Sequence, residues 1–133
     1  MTLVASQRVF ERLKVAPLTP SIGAEISGID LACEQDDATI AEIRAALLAY
    51  KVVFFRDQSM TPEQHIAFAR RFGPLEIHPA TPQDQPNREV LHIAHGPDSR
   101  GRENFWHSDV TWRAEPSLGS ILRAIEVPEV GGD

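Results

Sequence analysis

The spacing of apolar and polar positions changes along this chain, and each change marks an element. Residues 22–31, IGAEISGIDL, roughly alternate around two glycines, which predicts a strand with a turn near Gly28. After Asp36 and Asp37 the spacing lengthens. Ile40, Ile43, Leu47 and Tyr50 recur three or four residues apart, one apolar stripe on a helix, and two acids at its start suit the positive end of the helix dipole. Residues 51–56, KVVFFR, place β-branched and aromatic side chains at successive positions, which predicts a short strand buried on both faces. Residues 57–59 turn the chain. Residues 61–72 predict a second helix. Thr61 caps it, Pro62 occupies its first position and Gln64 completes a capping box. Arg70 and Arg71 fall in its last turn, Gly73-Pro74 stop it, and Phe68 and Phe72 pair one turn apart.

The second half is more broken. Residues 78–87, HPATPQDQPN, carry three prolines and predict an ordered loop or lid, since proline cannot serve a central strand. Residues 89–94 predict a strand, and residues 95–104, HGPDSRGREN, a polar loop. Residues 105–112, FWHSDVTW, and 117–127 predict two further strands, the last ended by Pro128. The chain closes on PEVGGD, a turn with nothing after it. That ending suggests a truncated reading frame, because a strand just before it needs a partner.

Composition narrows the class. The 133 residues are 42% hydrophobic and 24% charged, ordinary for one globular domain with a modest core. Thirteen basic against nineteen acidic residues give a net charge of −6. Arg70, Arg71, Arg100 and Arg102 are too scattered to track a phosphate backbone, which argues against nucleic acid as a partner. A single cysteine, Cys33, excludes an intrachain disulfide and is expected to be buried or half-buried. No apolar run is long enough for a signal peptide or a membrane span, so a cytoplasmic protein is the expectation.

Chemistry concentrates in FWHSDVTW. On a strand, residues two apart share a face. Phe105, His107, Asp109 and Thr111 then lie on one side, and Trp106, Ser108, Val110 and Trp112 pack on the other. The imidazole and the carboxylate stand about 7 Å apart at Cα, two strand rises, and both can bend toward one ion at bonds of about 2 Å. One more histidine would complete the facial triad of non-haem Fe(II) oxygenases. An exposed polar stripe sharing a hydrogen bond fits the same residues, and His-x-Asp alone leaves both readings open. Among the other histidines, His65 is expected to be exposed on its helix. His92 and His95 would face opposite sides of a strand. His78 stands at a loop mouth, and a loop histidine can donate a hydrogen bond to an anion.

The stretches IGAEISGIDL, VVFFRDQSMTPEQHIAFARRFGPLEIHP, WHSDVTW and ILRAIEVPEVGGD occur in this order. Together, from about Leu18 to the last residue, they resemble the N-terminal half of the taurine dioxygenase family. These are Fe(II)- and α-ketoglutarate-dependent oxygenases acting on alkylsulfonates, sulfate esters and phenoxyacetate herbicides. The resemblance implies a β-rich α+β fold, a double-stranded β-helix (jelly-roll barrel) with flanking helices, here incomplete. Residues 1–133 would be the N-terminal part of a single dioxygenase domain. It implies His107 and Asp109 as two iron ligands, with the third, a histidine, absent from this chain. The arginines for cosubstrate and substrate, and the threonine after GGD, would also lie beyond Asp133. His78 resembles the family residue that contacts an anionic substrate, and Val110 a pocket-wall position. Thr81 stands where taurine-type members carry tyrosine, and their upstream asparagine falls at Glu103, or at Asn104 with one gap. Those departures put taurine itself in question and leave another anionic substrate open. The implied partners are that small anion, O₂ and α-ketoglutarate, without nucleic acid or membrane, and a homo-oligomer stays open. The implied reaction hydroxylates a substrate carbon, and a carbon bearing sulfonate or sulfate then collapses to an aldehyde. Two other classes remain open: a non-catalytic fragment or decayed paralogue, and a small metal-binding module in which His78, His92 or His95 supplies the third ligand.

Overall fold

Strand β2, Ala24–Ser27, forms where the alternation is cleanest. Ala24 and Ile26 are buried on one face, while Glu25 points to the other. The turn expected at Gly28 is present, with φ of +84°, a conformation natural to glycine. β2 pairs antiparallel with β1, Lys14–Pro17, and parallel with β3, Val53–Phe55, in the order β1-β2-β3. The computed structural model describes residues 10–79, 81–96, 106–110 and 113–130. The chain divides into two compact units, Met1–Val90 and Leu91–Asp133.

In the first unit, helix α1 spans Asp37–Tyr50 and helix α2 Pro62–Arg70. Asp36 caps α1, its carboxylate accepting from the Thr39 N–H at 2.8 Å. Ile40 and Ile43 are buried, as the apolar stripe requires, with Tyr50 packed against the core. The α2 capping box is present in both directions, Gln64 N to Thr61 Oγ1 at 3.2 Å and Thr61 N to Gln64 Oε1 at 2.7 Å. Backbone bonds from Arg71 to Phe68 and from Phe72 to Ala69 tighten the helix end. The Phe68 and Phe72 rings meet edge to face at 5.3 Å. Leu13, Ile26, Leu31, Ile40, Ile43, Ala46, Met60 and Phe68 form the core.

Several features differ from the sequence pattern. β1 has no clear signature in KVAP and exists through its pairing with β2. The Glu42 carboxylate helps bring that stretch in, accepting from the backbone N–H groups of Glu11, Arg12 and Leu13 at 3.0 to 3.3 Å. β3 is not buried on both faces. Phe54 is 41% exposed because it lies on the face of the sheet opposite Val53 and Phe55, which pack on the core, with the Arg56 guanidinium 5.8 Å from its ring centre. Among the described residues, 89–94, 106–110 and 117–127 form no strand. Residues 105, 111 and 112, and 97–104 of the polar loop, lie outside the described residues. Alternation specifies a face but not a partner, and a strand needs a partner's backbone. The described residues are therefore not β-rich: helices of 14 and 9 residues outweigh strands of 4, 4 and 3. No helix among them is long and apolar enough to cross a membrane.

Candidate metal and anion site

The second unit holds the His-x-Asp pair. His107 Nε2 stands 3.3 Å from Asp109 Oδ1. This convergence does not come from a strand face, as the spacing predicts, but from a turn at Asp109-Val110. Val110 has φ of +56°, and its carbonyl accepts from the Arg113 N–H at 3.1 Å. A β-branched residue rarely adopts that conformation, and such strain collects at functional sites. Val110 is half-buried. The other Asp109 oxygen, Oδ2, lies 3.4 Å from Ser120 Oγ. Trp106, expected to pack on the opposite face, is fully exposed. Asn104 and Phe105 lie outside the described residues.

The pair fits a divalent ion. Two donors each about 2.1 Å from one metal and 3.3 Å apart subtend roughly 100°, the angle of neighbouring coordination positions. A nitrogen and a carboxylate oxygen suit a first-row metal. With side chains 46% and 64% exposed, the pair contributes little as a surface ion pair. Among the described residues no group of three or more His, Cys, Asp or Glu side chains could hold a metal. His92 and His95 are both exposed and lie on no strand.

His78 lies in the first unit, after α2. It is exposed, and its carbonyl accepts from the Thr81 N–H at 2.9 Å. That turn carries Thr81 inward to 5% exposure, with its hydroxyl oxygen unpaired. The loop is ordered by its own side chains: Gln85 Nε2 donates to the Val90 carbonyl at 2.7 Å, and Asn87 Nδ2 to Glu63 at 2.6 Å.

Two other expectations are corrected. His65 is half-buried, since its position on α2 turns it partly toward the core side. Cys33 is exposed, because the loop from β2 to α1 passes over the surface. Its thiol donates to Asp30 Oδ2 at 3.5 Å. That hydrogen bond, and the charge of Asp30, raise the thiol pKa. Two shallow cavities of about 290 and 300 Å³ flank this loop, and neither is lined by His78, His107 or Asp109.

Comparison with known proteins agrees with the pattern of sequence blocks. Residues 14–133 match the model of the taurine catabolism dioxygenase TauD, TfdA family, and the chain belongs to that family. It is 40% identical over 131 residues to an alkylsulfatase of Acinetobacter baylyi, covering 96% of this chain and 40% of that protein. It is 38% identical over 122 residues to an α-ketoglutarate-dependent sulfate ester dioxygenase of Pseudomonas putida, covering 91% of this chain and 40% of that protein. Among solved structures, a Burkholderia xenovorans protein provisionally named an α-ketoglutarate-dependent taurine dioxygenase superposes with a TM-score of 0.50 at 53% identity. That likeness covers 52% of this chain and 25% of that one. The chain thus spans about 40% of the length of the first two relatives.

Proposed function

We propose that this chain is the N-terminal part of one cytoplasmic dioxygenase domain that uses Fe(II) and α-ketoglutarate to hydroxylate a small anionic organic substrate. An alkylsulfonate or a sulfate ester is the substrate class. The observation that carries the reading is the convergence of His107 Nε2 and Asp109 Oδ1 at 3.3 Å, within a chain whose residues 14–133 match the family. In this reading the fold of the whole domain is the jelly-roll barrel.

Bound at this pair, Fe(II) would supply the oxidative chemistry that joins decarboxylation of α-ketoglutarate to hydroxylation. The chain's own residues hold and orient. His107 gives an imidazole nitrogen and Asp109 one carboxylate oxygen, leaving the remaining ligand to residues outside this chain. His78, exposed at its loop, directs an N–H donor to the sulfonate or sulfate. Thr81 offers a shorter side chain than tyrosine, which leaves room for a bulkier organic group. Val110 forms pocket wall beside the carboxylate, and Asn104 donates to the substrate. The names of the relatives support this substrate class: one is an alkylsulfatase and another a sulfate ester dioxygenase.

The test is turnover by a polypeptide of the relatives' full length that carries this sequence. With Fe(II), α-ketoglutarate and an alkyl sulfate or alkylsulfonate, it releases sulfate or sulfite and succinate. Asp109→Ala abolishes release, because it removes a ligand charge as well as a bond. Near-normal turnover in that variant sinks the assignment. The span of about 40% of the first two relatives' length favours a second reading for the 133-residue chain alone: it is non-catalytic without the remaining ligand.

A further inference from the structure

We propose that Ser120 is a positioning residue for Asp109, holding its carboxylate so that only Oδ1 faces the metal. The inference rests on the metal reading given above. Its starting point is an asymmetry between the two oxygens of one side chain. Asp109 Oδ1 lies 3.3 Å from His107 Nε2, whereas Oδ2 lies 3.4 Å from Ser120 Oγ, eleven residues further along. The turn at Val110 and the Arg113 N–H bond to its carbonyl reverse the chain between the two. Oδ1 thus converges with the imidazole nitrogen while Oδ2 faces a hydroxyl donor.

The consequence concerns the number of free coordination positions. A facial triad leaves three positions of an octahedral metal open, and a chelating α-keto acid with O₂ needs all of them. A carboxylate that binds through both oxygens takes one of those positions. An exposed aspartate has nothing in its own geometry to prevent this, since its side chain turns about both of its bonds, Cα–Cβ and Cβ–Cγ, and anchoring Oδ2 restrains both. A hydroxyl on Oδ2 supplies the restraint. At 3.4 Å the hydrogen bond is long for an O–H donor, so its effect is on orientation. Partners of this kind, bound to a ligand rather than to the metal, commonly govern affinity by about ten-fold or more.

The test uses the isotopically labelled 133-residue chain with Mn(II) as the probe. Two quantities are measured by NMR: the Asp109 Hα–Hβ couplings, which report its side-chain rotamer without metal, and the Mn(II) dissociation constant from paramagnetic broadening at His107 and Asp109. In Ser120→Ala the couplings move toward rotamer averaging and Mn(II) affinity falls about ten-fold. Ser120→Thr, which keeps the hydroxyl, restores both, and a merely structural role for Ser120 would not give that rescue. Unchanged couplings and unchanged affinity in Ser120→Ala overturn the proposal. If the unaltered chain takes up no Mn(II), the couplings alone decide. Asp109→Ala separates the two levels, because unchanged Mn(II) affinity there removes the metal reading itself.

Discussion

At the scale of single residues, this chain shows how a neighbour sets the chemistry of an exposed group. Cys33 is open to solvent and would ordinarily be a reactive thiol. The Asp30 carboxylate accepts its hydrogen and repels the thiolate, which raises its pKa. Reactivity follows the thiolate fraction, so Cys33 is expected to react slowly although it is accessible. Asp30→Asn removes the charge and weakens the acceptor. Alkylation of Cys33 by iodoacetamide near neutral pH is then expected to speed up several-fold, with the gain shrinking above the thiol pKa. An equal rate in both proteins would mean that Asp30 does not control the thiol. The His107–Asp109 pair was legible in the sequence because both members lie within three residues, although a turn and not a strand brings them together. Ser120 was not legible, since a contact across eleven residues depends on how the chain reverses.

At the scale of elements, local signals decided what could be read. α1 and α2 were visible because caps, an N1 proline and a helical stripe act within a few residues. Thr61→Ala removes one half of the α2 capping box and is expected to cost about 1 kcal/mol in urea unfolding, whereas Thr61→Ser should cost much less. Both helix starts also depend on carboxylates with lowered pKa values. Asp36 is held down first by its bond with Thr39, with Arg12 adding to it, and Glu63 first by its bond with Asn87. A carboxylate whose folded pKa is depressed stabilises the fold above its unfolded pKa, and that stability is lost as pH falls through the folded value. The urea midpoint should therefore drop as pH falls below the ordinary carboxylate range. Asp36→Asn with Glu63→Gln should flatten that drop, and an unchanged slope would count against both assignments. β1 escaped sequence reading because its strand state comes from β2 and from the Glu42 carboxylate. Residues 89–94 and 117–127 differ in the opposite direction: their apolar content predicts strands, yet they form none among the described residues, because a strand needs a partner's backbone.

At the scale of the molecule, that misreading becomes a statement about what the second half of the chain requires. Leu118, Leu122, Ile125, Val127 and Val130 are 60% to 91% exposed, in a unit that forms no described strand. Apolar side chains this exposed gain stability only when another element buries them. The first unit already has a shared core, built from β2, α1 and α2. Amide exchange separates these conditions. In the 133-residue chain, amides of α1, α2 and β2 should exchange slowly, and those of 117–127, taken together, much faster. In a polypeptide of the relatives' full length, residues 117–127 should gain protection while α1 changes little. That gain is what a jelly-roll barrel completed by further strands requires. If 117–127 is equally protected in both chains, its backbone is already paired in the shorter one, and the barrel is not what gives this segment its order.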